Sequence, residues 1–117
     1  MHRPASYASG VSGLGTYCAV AASVNPPWPA NTVSSRPEML AAVTFQVIAG
    51  TGVSAGTVQP VVLGADGTYR AFGAAITFSA PGSNTVSLLS PVLGAAIQVT
   101  VAPTGGTLYL EVDAVMV

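Results

Sequence analysis

Residues 107–117 read Thr-Leu-Tyr-Leu-Glu-Val-Asp-Ala-Val-Met-Val. Leu108, Leu110, Val112, Ala114 and Met116 recur at a spacing of two, with Tyr109, Glu111 and Asp113 between them. Successive side chains of a strand point to opposite faces, so this stretch offers one apolar face to a core and one mostly polar face. The polar face carries two of the chain's four carboxylates.

The same language runs back to Ala42. Val43, Phe45, Val47 and Ala49 alternate with Thr44 and Gln46, and Ile48 interrupts the polar side. Residues 50–56, Gly-Thr-Gly-Val-Ser-Ala-Gly, form a turn-rich link. A second strand is expected over 57–63, with Pro60 marking an edge or a bulge. Asp66-Gly67 is a strong hairpin signal, and 68–72 is its returning strand. Further strands are expected over 74–79, 85–89 and 94–102. The turn residues are Pro81-Gly-Ser-Asn84, Ser90-Pro91 and Pro103-Thr-Gly-Gly106. About seven strands with turn signals every 8 to 12 residues indicate a two-sheet sandwich or barrel. The absence of a long helical pattern removes the parallel α/β folds. The expected fold is all-β: a single antiparallel β-sandwich, jelly-roll-like or Ig-like, over 42–117.

Residues 1–41 differ. They hold Pro4, Pro26, Pro27, Pro29 and Pro37 together with Gly10, Gly13 and Gly15. Proline lacks the N–H that a ladder needs and glycine weakens strands, so the segment is expected to be an extended Pro/Gly-rich N-terminal arm. One short strand fits 16–22, and at most one helical turn fits 34–42. The arm either becomes ordered against a neighbouring subunit or folds back along its own domain. Trp28, between Pro27 and Pro29, is the largest apolar side chain available as an anchor, and tryptophan is enriched at interface hot spots. It serves equally as a core plug. Tyr17, Pro26, Pro27, Trp28 and Pro29 are the candidate partner-contacting residues.

Composition narrows the chemistry. Charged residues make up 6% of the 117, against roughly a quarter in typical soluble domains. There is no lysine, and the net charge is −1. Nucleic-acid binding takes clustered Lys and Arg, so it is not expected. So little charge favours a chain that stays packed against other subunits, although a Ser/Thr/Gly-rich surface also hydrates. No stretch reaches the roughly 20 apolar residues that span a bilayer, so no membrane span is expected. Nor does the N-terminus have the form of a signal peptide, which fits synthesis in a cytoplasm.

Cys18 is the only cysteine, and its apolar neighbours suggest a buried, inert thiol. His2, the only histidine, sits at a terminus, where a triad or metal cluster lacks a rigid site. Glu111 and Asp113 are expected to form a solvated face or to pair with an arginine on the next strand, Arg70 being the candidate. A calcium site would want six or more oxygens. The glycine-rich 50–56 link lacks the lysine and helix of a phosphate-binding loop. No catalytic residue, cofactor or metal is expected, and the chain is read as a non-enzyme.

Three stretches carry a resemblance. They are residues 45–59 (Phe-Gln-Val-Ile-Ala-Gly-Thr-Gly-Val-Ser-Ala-Gly-Thr-Val-Gln), residues 63–69 (Leu-Gly-Ala-Asp-Gly-Thr-Tyr) and the Thr/Val/Gly-rich ending. In style, and without a diagnostic motif, they resemble the small β-sandwich virion proteins of tailed bacteriophages. These are the capsid decoration (cement) proteins and related head or tail modules. The resemblance implies a virion protein, assembled in the host cytoplasm, that binds the major capsid protein or other virion subunits. It also implies a homo-oligomer, with a trimer favoured. The rival expectations are a carbohydrate- or receptor-binding module and a head or tail fibre component.

Overall fold

The computed structural model describes residues 4–22, 39–64 and 66–116. Among them are nine strands: β1 (Ala5–Val11), β2 (Gly15–Ala21), β3 (Leu40–Ala49), β4 (Ala55–Leu63), β5 (Tyr69–Ala71), β6 (Ile76–Phe78), β7 (Gly82–Leu88), β8 (Gly94–Thr104) and β9 (Leu108–Met116). They build two antiparallel sheets. One has four strands in the order β1-β9-β3-β7. The other has five, in the order β2-β8-β4-β5, with β6 also pairing β4. The chain changes sheet at every connection except those from β4 to β5 and from β5 to β6.

The alternation read from the sequence is what packs the two sheets together. Val43, Phe45, Val47 and Ala49 of β3 and Leu108, Leu110, Val112 and Ala114 of β9 are all buried. They meet Val58 of β4, Ile76 and Phe78 of β6, and Ala95, Ile97 and Val99 of β8 in one core. Fully burying one Val, Leu or Phe side chain contributes about 1.5–3 kcal/mol, so this core is the main source of stability. Phe45 stacks on Phe72, which directly follows β5 of the other sheet, with ring centroids 6.1 Å apart. The Asp66-Gly67 hairpin forms as expected: Gly64 N–H donates to Thr68 O at 2.8 Å, and Leu63 pairs with Tyr69.

The described amino-terminal residues form two strands rather than a loose extended arm. Residues 5–11 pair with β9 at one edge of the four-stranded sheet, and residues 15–21 pair with β8 at one edge of the other. The described part of the segment thus folds back along its own domain. The physical reason is backbone satisfaction. The free sides of β8 and β9 need hydrogen-bond partners, and these two stretches supply them while contributing few core side chains. The glycines do not end the strands. Gly10, at φ 66°, sits within the register shift of β1, and Gly15, at φ 146°, opens β2 after the chain has crossed between sheets.

Three smaller differences follow from local chemistry. Asn84 lies in β7 opposite Val47, not in a turn. Pro103 lies within β8, whose turn comes at the following glycines. Pro60 is in the interior of the five-stranded sheet, opposite Ile97, and marks neither an edge nor a bulge. Its carbonyl accepts from Phe72 N–H at 2.9 Å, so its backbone polar groups face the β5–β6 side. The ladder there breaks between Val58–Ile76 and Val61–Ala71, and no donor is required at position 60.

Candidate functional site: the outer face of the four-stranded sheet

The four-stranded sheet turns its second face outward. Register brings the side chains of that face into rows. Tyr7 of β1, Glu111 of β9, Gln46 of β3 and Thr85 of β7 lie side by side. The next row is Ala5, Asp113, Thr44 and Ser87. Tyr109 lies beside Ile48 and Ser83 in the row before. Neighbouring strands lie about 4.8 Å apart, so the first row is a line of hydrogen-bonding groups across the whole sheet.

Tyr7 is 69% exposed and lies nearly parallel to Tyr109, with centroids 6.0 Å apart and an interplanar angle of 23°. The Tyr109 hydroxyl donates to Glu111 Oε1 at 2.9 Å. That hydrogen bond, reinforced by desolvation and by the Glu111 charge, raises the Tyr109 phenol above its ordinary value. Tyr109 therefore stays a neutral donor at physiological pH. Tyr109, Glu111 and Asp113 are half-buried, so this face is less solvated than the bare alternation suggests. Tyr7 escaped the sequence reading because β1 lacks an alternating apolar pattern. The signal that would have found it is the Tyr7–Glu111 pairing, which only the sheet order supplies.

Arg70 does not meet Glu111 or Asp113, which belong to the other sheet. It pairs instead with Asp66 in its own hairpin, Nη2 to Oδ2 at 2.8 Å and Nη1 to Oδ1 at 3.1 Å. Asp66 Oδ1 also accepts from the Thr68 N–H and hydroxyl. The Arg70 guanidinium, followed by Thr68, holds the Asp66 carboxyl well below the usual carboxylate range.

Tyr17 is half-buried in β2, packs against the core and donates its hydroxyl to Gly13 O at 3.0 Å. Pro26, Pro27, Trp28 and Pro29 lie outside the described residues, as do His2 and the 34–38 piece of the suggested helical turn. Cys18 is buried, at φ 61°, within the register shift of β2. Its Sγ donates to Leu110 O at 3.3 Å across the sheets. Burial pushes the thiol up to about 11; a hydrogen bond from the Ala8 backbone works against this, and the Glu111 charge adds to it. Among the described residues, no three His, Cys, Asp or Glu side chains are grouped to hold a metal ion.

The glycine-rich 50–56 link packs against the β8–β9 turn. Gly50 N–H donates to Thr107 O at 3.0 Å and Ser54 N–H to Thr104 O at 2.9 Å. A side chain on Gly52 or Gly105 would run into the other's carbonyl, so these glycines serve a close backbone approach.

No protein-family model, no curated protein and no solved structure matches this chain.

Proposed function

We propose that the protein is a non-enzymatic structural component of a bacteriophage virion, a decoration protein that binds and stabilises the head shell. The observation that carries this reading is the strand order. β1-β9-β3-β7 facing β2-β8-β4-β5 is the arrangement of two interlocked Greek keys, which supports a jelly roll rather than an Ig-like sandwich. Jelly rolls build viral capsid domains and lectins. The scarcity of charge adds support, because it suits a chain that works packed against other subunits.

In this reading the two-sheet body is a rigid knob, and its partners are the major capsid protein and further copies of itself. Trp28 and its flanking prolines supply an apolar anchor, with Tyr17 on the same amino-terminal segment. Binding is weak per copy and strong in aggregate, since many copies engage one shell. Deleting residues 1–30 would remove β1 and β2 along with the anchor, so a point substitution is the cleaner test. Trp28→Ala is expected to leave the circular dichroism of the chain unchanged and to abolish its co-sedimentation with head shells of the same phage. Full co-sedimentation by that variant would refute the anchor. Failure of the unmodified chain to bind any head would refute the decoration role.

One observation favours a second reading, a carbohydrate-binding module. The exposed Tyr7, stacked beside Tyr109 and with Glu111 and Gln46 in line, offers an accessible aromatic ring flanked by hydrogen-bonding groups. Affinity electrophoresis in gels of neutral polysaccharide tests it: retardation lost in Tyr7→Ala supports this reading, and no retardation of the unmodified chain removes it.

A further inference from the structure

The two sheets have four outer edges, and three of them carry features that discourage pairing with another chain. β1 shifts register between Ala8 and Val11, with Gly10 at φ 66° inside the shift. β2 shifts register between Tyr17 and Val20, with Cys18 at φ 61°. The third edge is split into β5 and β6, of three residues each, and β5 carries Arg70. Bulges, short strands and charges are the devices by which proteins keep sheet edges from templating another strand.

The fourth edge, β7, has none of them. Gly82-Ser-Asn-Thr-Val-Ser-Leu88 pairs with β3 through seven consecutive partners without a shift. It contains no charge and no proline, and its residues from Gly82 to Thr85 are exposed. About half of its backbone N–H and C=O groups point away from β3. Leu89, which follows it directly, is 82% exposed.

We propose that β7 pairs antiparallel with β7 of a second copy, across a two-fold axis at Thr85, joining the two four-stranded sheets edge to edge. The sequence of β7 is self-complementary in that register. Thr85 faces Thr85, a cross-strand pair whose hydroxyls can hydrogen-bond. Ser83 faces Ser87 on the outer side, and Asn84 faces Val86 on the inner side. One step further, the exposed Leu89 comes opposite Pro81 and is covered. Such a contact is isologous and closes on itself, so it yields a discrete dimer rather than a fibre. No charge is buried by it, and no side chain has to leave the core. The inference does not depend on the virion reading, because it concerns the chain alone in solution.

Light scattering and sedimentation velocity on the full chain, over a wide dilution series, give the first measurement. The expected species has twice the 11.6 kDa chain mass. Thr85→Lys places two like charges directly opposite each other and is expected to give a monomer with unchanged circular dichroism. Ser83→Lys combined with Ser87→Glu places opposite charges in both symmetric contacts and is expected to keep the dimer. Thr85→Cys is expected to cross-link two copies under oxidising conditions, whereas Thr44→Cys, exposed one strand inward, does not. A monomeric unmodified chain overturns the proposal, as does a trimer that Thr85→Lys leaves intact. Equal cross-linking at positions 44 and 85 overturns the register. A dimer that ignores every head shell would count against the decoration role and leave this pairing standing.

Discussion

The central pairs of the two sheets are built from strands of similar length but differ in regularity. β3 and β9 keep register through eight consecutive partners from Ala42–Val115 to Ala49–Leu108, with one shift at the start. β4 and β8 shift twice near Thr57, and the outer partner of β4 is split into two short strands. The cause lies in the sequence. β3 and β9 contain no glycine or proline, whereas β4 holds Gly56 and Pro60 and β8 holds Gly94 and Pro103. The four-stranded sheet is the template, and the five-stranded sheet bends to accommodate residues that a regular ladder excludes.

Two phenylalanines that touch each other test that contrast most strongly. Phe45 lies at the centre of the regular sheet and is fully buried, while Phe72 lies on the irregular side and is partly buried. Phe45→Ala is expected to cost about 3–5 kcal/mol, enough to unfold much of a marginally stable domain. Phe72→Ala removes the same ring from the same pair and is expected to cost less than half as much, because part of its surface already meets water. Urea denaturation of both variants checks this. Equal losses would mean that the two sheets contribute alike.

The seam where both sheets end comes next. The β3–β4 and β8–β9 connections cross between sheets at the same end, with Gly52 at φ 90° and Gly105 at φ 84° pressed against each other. Gly105→Ala is expected to cost about 1–3 kcal/mol, since alanine is strained at that φ and its Cβ meets the Gly52 carbonyl. Alanine at Gly73, also at positive φ but with open space around it, is expected to cost less. Thermal melting of the pair separates backbone strain from collision.

These details mark where the sequence was legible. The inward faces of β3, β8 and β9 were readable because alternating side chains both form the strand and fill the core, so pattern and burial have one cause. The Asp66-Gly67 hairpin was readable because turn chemistry is local. β1 was not readable, since an edge strand such as Ala5-Ser-Tyr-Ala-Ser-Gly-Val11 is held chiefly by its backbone ladder, which leaves little trace in side-chain pattern. The pairing of Arg70 with Asp66 rather than with β9 has a related cause. Which strands are neighbours is a property of sheet order, and the local Asp66 competes for the guanidinium at four residues' distance. The outer-face row from Tyr7 to Thr85 draws one residue from each of four strands, so no single stretch of sequence contains it.

Cys18 joins the two sheets directly, and its ionisation tests how tightly they close. Its folded-state value, about 11, lies above the ordinary thiol value of 9.0. The folded protein therefore holds its proton to higher pH than the unfolded chain does. The stability tied to that difference is fully present below about 9 and is lost as pH rises from about 9 to about 11. A thiol-specific reagent at neutral pH is expected to react with Cys18 only at the rate of unfolding. Fast reaction in the folded protein would show that the sheets open locally at the β2 bulge. Cys18→Ala is expected to flatten the alkaline decline in denaturation experiments.

The smallest effect is expected farthest from the template, in the β4–β5 hairpin. Asp66 there accepts hydrogen bonds from Thr68 and Arg70, and its carboxyl is held below the ordinary range. The direction fixes the sign. A depressed folded-state value contributes stability that is present above the unfolded value of 3.8 and is lost only as pH falls through the lower folded one. Both partners are solvent-exposed, with side chains 61% and 53% accessible, and exposed pairs of this kind contribute little to global stability. Asp66→Asn is therefore expected to leave the melting temperature at neutral pH nearly unchanged. It should still speed amide exchange at Gly64 and Gly67, whose N–H groups close the turn. A melting loss comparable to that of Gly105→Ala would mean that the hairpin, and not the β3–β9 ladder, sets the register of the irregular sheet.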